Sequence, residues 1–264
     1  MKLRGLGLSL LLFAGCGEEG SDGPTTITVG DVFDYYGLGA GNCYRYEFSL
    51  GTGQADSVAE VRVSDLMGDN ERNPYPGRDI REWRLTRTGG ADTLIRIYEV
   101  VGGEVRILQE SSRASTVSPQ VTRFFDDPQI DGVGTPPVTL ALVRGSEGTP
   151  IVDPPGRETT NTTPQSVFDA SGMRLTGDEV DPETYVYDVF SETASELDAN
   201  GTSFAGTEIT VTISRGGETF NLSEFVAPGI GFVRFQDYTE TDFQLLQFRV
   251  TRSDGSTEGD LTCS

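Results

Sequence analysis

The sequence predicts a mainly β protein of consecutive antiparallel strands, a meander arranged in one β unit or two. Three observations carry this expectation. Apolar and polar residues alternate with period two in run after run, glycine pairs separate neighbouring runs, and helical periodicity is weak throughout.

The first element is not part of the fold. Met1 to Cys16 reads MKLRGLGLSLLLFAGC. Lys2 and Arg4 give a short cationic start, Leu6 to Phe13 is an apolar run of signal-peptide length, and the small residues Ala14 and Gly15 precede a cysteine. The run is well short of the roughly 20 residues that a membrane-spanning helix needs. The segment resembles the bacterial lipoprotein signal, with Phe13 where leucine is commoner. That resemblance implies removal of residues 1–15 as a signal peptide and attachment of lipid, palmitate included, at Cys16. It places the protein at the bacterial cell envelope, held to a membrane by that lipid, with the outer membrane as the expected address. An ordinary secretory signal with a chance cysteine is the alternative. Residues 16–26 add Gly, Ser, Pro and acid but nothing to seed a core, and they read as a flexible acidic tether.

Cys43 to Leu50 (CYRYEFSL) opens the folded part, with Tyr44, Tyr46, Phe48 and Leu50 on one face and Arg45, Glu47 and Ser49 on the other. Similar alternation recurs at Ser57 to Asp65, Asp79 to Thr88, Thr93 to Val101, Glu104 to Glu110 and Val138 to Val143. Beyond mid-chain it returns at Tyr185 to Phe190, Glu208 to Arg215, Gly231 to Thr239 and Phe243 to Arg252. Gly89-Gly90-Ala91-Asp92, Gly102-Gly103 and Gly216-Gly217 read as hairpin loops, because glycine reaches the positive φ such turns require. The best helical stretch is Val189 to Leu197, short enough to be a loop instead. Proline, threonine and glycine crowd residues 145–164, which read as a linker or long loop between an N-terminal β unit (27–144) and a C-terminal one (165–264). The two units could equally form one domain.

Two segments extend the expectation. Phe33 to Tyr46 (FDYYGLGAGNCYRY) and Ala227 to Arg234 (APGIGFVR) resemble segments of the DUF3108 and LolA-like envelope lipoproteins. The resemblance implies curved antiparallel sheet of open half-barrel type. It brings no catalytic residues.

Composition excludes much chemistry. The chain has no histidine, and its only lysine is Lys2. Without histidine there is no Ser-His-Asp or Cys-His arrangement and no His-ligated zinc; without lysine there is no Schiff base and no GxxxxGK[ST] phosphate loop. The formal charge of -21 becomes -23 once Lys2 and Arg4 leave with the signal, which repels nucleic acid. The sequence therefore points to a non-enzymatic binding or structural module with no cofactor, whose partner is an envelope protein or an apolar ligand; the alternatives are a carrier or chaperone for a lipid or other apolar ligand and, behind it, a carboxylate- or metal-dependent enzyme.

Three constellations invite a site. With Cys16 lipidated, Cys43 and Cys263 remain, and an even remainder in an oxidising compartment favours a disulfide; the alternative is one buried cysteine and one on a frayed terminus. Gly37 to Gly41 suggests a phosphate loop but leads into a strand rather than a helix, so it reads as a turn. The acidic stretches Asp69-Asn70-Glu71, Asp126-Asp127 with Asp131, Asp178-Glu179 with Asp181, and Asp254 with Glu258 and Asp260 lack EF-hand spacing, and no metal ligand is assigned. The aromatics Tyr44, Tyr46, Phe48, Trp83, Phe232 and Phe235 read as core, or as the lining of a cavity for lipid if the sheet curls without closing.

Overall fold

The structure is a computed structural model. It describes residues 34, 36–49, 57–66, 75–87, 91–101, 104–113, 119–124, 138–142, 158–163, 165–168, 183–215, 217–237 and 239–263. Cys16, the tether, and the three acidic stretches at 69–71, 126–131 and 178–181 lie outside them.

Among the described residues fifteen strands follow in chain order. They are β1 (Cys43–Phe48), β2 (Ser57–Asp65), β3 (Ile80–Arg87), β4 (Ala91–Val101), β5 (Glu104–Ser112), β6 (Gln120–Phe124), β7 (Val138–Leu142) and β8 (Glu158–Thr163). The remainder are β9 (Gln165–Phe168), β10 (Glu183–Ala199), β11 (Thr202–Arg215), β12 (Glu218–Ala227), β13 (Gly231–Gln236), β14 (Asp242–Thr251) and β15 (Thr257–Glu258). All pairings are antiparallel, in the order β8-β10-β11-β12-β13-β14-β1-β2-β3-β4-β5-β6-β9, with β7 added on β5 and β15 on β14. The protein is thus mainly β, one open antiparallel sheet whose strands run largely as a meander. β1 sits at the middle of the path, between β2 and β14, and joins the two halves of the chain.

The sheet is strongly curled. Trp83 on β3 and Phe232 on β13 are four strand spacings apart, roughly 19 Å in a flat sheet. Their ring centroids are 5.9 Å apart, in edge contact. The two halves therefore face each other across one apolar core that includes Val61, Leu85 and Tyr98 from one wall and Ile209, Val211 and Ile213 from the other. Outside the curl, the segment before β3 lays Tyr75 over Ile80, Ile97 and Leu108 as a second, smaller cluster.

Two departures from the sequence expectation have physical causes. Val189 to Leu197 is no helix: it lies inside β10, which runs to Ala199 and turns at Asn200 and Gly201. Their φ values of 49° and 75° form the paired positive-φ turn for which Asn-Gly is the preferred dipeptide. The irregularity between Phe190 and Ser195 breaks the alternation and hides the strand. β12 escapes the pattern for the same reason, because a register shift between Phe225 and Val226 places consecutive apolar residues in the interior.

Candidate functional site

The structure brings the six sequence-selected aromatics together as core. Tyr44, Tyr46, Phe48, Trp83, Phe232 and Phe235 are each at most 4% exposed. Tyr46 meets Phe235 edge-on at 5.1 Å, Trp83 meets Phe235 edge-on at 5.3 Å, and Phe235 stacks on Phe243 at 4.8 Å. These are the separations and tilts at which rings attract, so the rings fill the curl with one another. Tyr44 donates to Gly37 O at 2.7 Å and Tyr46 to Phe232 O at 2.6 Å. Burial drives both hydroxyls well above the ordinary tyrosine range, so both stay protonated donors.

The turn at Gly37 is consumed by this core. Its carbonyl also accepts from Asn42 Nδ2 at 3.0 Å, and a Cβ built at Gly37 would stand 2.2 Å from Ile230 O, at a φ of 61°. No other residue fits both the space and the dihedral.

A buried charged cluster bridges the two walls of the curl, and the sequence reading passed over it. Arg96 of β4 donates through Nε to Glu110 Oε2 at 2.6 Å on neighbouring β5, and its NH2 stands 2.7 Å from Glu224 Oε1 on β12 of the opposite wall. Arg123 of β6 stands opposite Glu110 in the ladder. Arg96, Glu110, Arg123 and Glu224 are all at most 5% exposed. Burial raises the Glu110 carboxyl above its ordinary 4.5, opposed by the charges of Arg96 and Arg123. Glu110 Oε1 is buried without a hydrogen-bond partner, and the buried Tyr98 hydroxyl has only the Arg96 guanidinium beside it, short of good hydrogen-bond geometry. Arg96 also lies 5.5 Å from the Phe232 ring centroid and 5.8 Å from that of Trp83. The signal was present in the sequence: Arg96 shares the inward parity of Leu94 and Tyr98, so a charge interrupts an apolar face.

The cysteines meet. Cys43 and Cys263 form a disulfide with Cα atoms 5.8 Å apart, tying the start of β1 to the C-terminal segment. Between that segment and the β10–β11 hairpin tip is an open cleft of about 240 Å³, lined by Asn200, Phe204, Leu245, Leu246, Phe248 and Asp260 among others.

The one acidic stretch within the described residues is structural. The Ser256 side chain and then its amide, which donates to Asp254 Oδ1 at 2.8 Å, hold the Asp254 carboxyl below the ordinary range, and Glu258 pairs with Arg252. Asp260 borders the cleft. Among the described residues no group of three or more His, Cys, Asp or Glu is placed to hold a metal ion. Compared with protein-family models, curated proteins and solved structures, the chain matches none.

Proposed function

We propose that this protein is a lipid-anchored β module of the bacterial cell envelope, held to the membrane through Cys16, that acts by binding a partner or bracing a structure rather than by catalysis. The observation that supports it is the filled interior. A carrier of lipid in a LolA-like half-barrel needs an open apolar trough, whereas here Trp83, Phe232, Phe235 and Phe243 occupy that trough in mutual ring contact. The cleft beside Phe248 is smaller than the roughly 300–1,000 Å³ of typical small-molecule sites. The two features together favour a protein partner over an apolar ligand.

The Cys16→Ser variant tests both parts. It is expected to move from the membrane to the soluble fraction; retention in the membrane with an uncleaved signal would refute the anchor. The same soluble variant, titrated with the apolar probe N-phenyl-1-naphthylamine, is expected to show no saturable uptake. One-to-one uptake that perturbs the emission of Trp83, the chain's single tryptophan, would establish the carrier instead.

A further inference from the structure

We propose that the free edge of β14, from Leu245 to Thr251, is a strand-accepting surface for an extended polypeptide. The protein's own C-terminal strap, residues 257–263, covers it, and the Cys43–Cys263 disulfide locks the strap in place. The inference rests on the binding-module reading and names the kind of partner.

β13 pairs with β14 only at Asp242, Phe243 and Gln244. Beyond Gln244 two separate pieces meet the same edge, the β10–β11 hairpin tip once and the C-terminal strap at two points. Asn200 Nδ2, from the β10–β11 hairpin tip, donates to Leu246 O at 3.2 Å. The Leu261 amide donates to Phe248 O at 3.2 Å. The two-residue β15 then pairs with Val250 and Thr251. Leu246 and Phe248 are two residues apart, the spacing at which a partner strand finds successive carbonyls on one edge.

Leu261 is thus seated as one residue of a guest strand, with its amide on Phe248 O and its side chain only 6% exposed. The Asn200 side-chain amide stands where the next guest N–H would be. The 240 Å³ cleft between them has the scale of a side chain rather than of a whole organic ligand. An uncovered edge would recruit other chains indiscriminately, which is the reason for a cover. Here the cover is held by the short β15 pairing, the Arg252–Glu258 ion pair and a Thr251–Thr257 hydroxyl contact beside it, one buried leucine and one covalent bond. The mode of recognition is strand addition, with backbone hydrogen bonds for affinity and the cleft for selectivity.

The lock has a defined chemistry. Cys263 is exposed while Cys43 is 4% exposed, so an external dithiol reaches the Cys263 side of the bond. A thiolate of the dithiol attacks Cys263 Sγ, and Cys43 Sγ leaves as a thiolate and takes up a proton. The second thiol of the reductant then displaces Cys263, giving two free cysteine thiols and an oxidised dithiol.

The test is hydrogen exchange on the full mature chain, oxidised and after reduction in situ with dithiothreitol, together with titration of a fluorescent peptide of residues 256–262. Reduction is expected to accelerate exchange of the 257–261 amides by roughly tenfold or more, to leave the β1–β2 amides protected and Trp83 emission unchanged, and to permit saturable peptide binding that the oxidised protein refuses. Unaltered protection of 257–261 would show that the strap holds without its lock. A red shift of Trp83 would show that the bond holds the sheet rather than the strap, and absence of saturable peptide binding to the reduced protein would refute the surface. Each of these overturns the proposal. Adding Leu261→Ser to the double variant Cys43→Ser, Cys263→Ser weakens the resident strap and is expected to tighten peptide binding; no change refutes the competition. Uptake of an apolar probe into the interior would defeat the module reading while leaving the exchange pattern as it is, so the two failures are separable.

Discussion

Tyr46 and Tyr98 are both fully buried on the inner face, yet only Tyr46 makes a well-formed hydroxyl hydrogen bond, while the Tyr98 hydroxyl faces the Arg96 guanidinium without good hydrogen-bond geometry. The same substitution is therefore expected to act with opposite sign. Tyr46→Phe strands the Phe232 carbonyl and is expected to cost about 1–3 kcal/mol, whereas Tyr98→Phe deletes a buried hydroxyl that has only the poorly aligned Arg96 beside it and is expected to be neutral or stabilising. Urea unfolding followed by Trp83 emission measures both; a large loss at Tyr98 would mean its hydroxyl is satisfied. Glu110 gives a pH dependence. Burial holds its carboxyl above 4.5 against the opposing charges of Arg96 and Arg123, with Glu224 and Tyr98 as its other neighbours. In the window above 4.5 the folded state binds more protons at this site than the unfolded state does. Its contribution to stability therefore grows as pH falls through the folded value and levels off below 4.5. Relative to Glu110→Gln, the wild type is expected to gain stability between pH 7 and pH 5, and a constant difference would contradict this.

At the scale of elements, glycine separates turn from close approach. Gly201 and Gly37 both have positive φ, 75° and 61°, but a Cβ meets nothing at Gly201 and the Ile230 carbonyl at Gly37. Gly201→Ala is expected to cost about 1–2 kcal/mol from the dihedral alone, and Gly37→Ala distinctly more, both by denaturant unfolding. These turns also show what the sequence disclosed. Strands with unbroken alternation, such as Ser57–Asp65, match the structure residue for residue, and the glycine pairs at 102–103 and 216–217 do connect antiparallel neighbours. The misses include the far half of β10 and β12, where a bulge flips parity, although Asn200-Gly201 announced the β10 hairpin; β6, β8 and β9 were missed because four to six residues, most of them polar in β8, carry too little alternation to read. The aromatics were legible as one face because burial follows parity. The Arg96 cluster was not, since Glu110 lies one strand away and Glu224 meets Arg96 only after the sheet curls. Likewise, the disulfide followed from counting cysteines, but the covered edge of β14 depends on a chain reversal that no local pattern encodes.

For the whole molecule, charge dominates. The 41 acidic residues face 20 basic ones, a formal charge of -21, and the folded state repels itself at neutral pH. Sodium chloride shortens the reach of that repulsion to about 8 Å at physiological strength. The melting temperature at pH 7 is therefore expected to rise from low to moderate salt. A melting temperature indifferent to sodium chloride but raised by micromolar calcium would instead reveal a specific site. The central position of β1 has a different consequence, one of timing. Its neighbour β14 lies about 200 residues later, with Cys43 opposite Arg249, so the middle of the sheet cannot zip until synthesis has passed Thr251. Up to that moment β1 exposes a hydrogen-bonding edge with Tyr44, Tyr46 and Phe48 beside it. Such long-range closure is slow and leaves the nascent chain open to aggregation, so this molecule depends on whatever shields it before its fourteenth strand arrives.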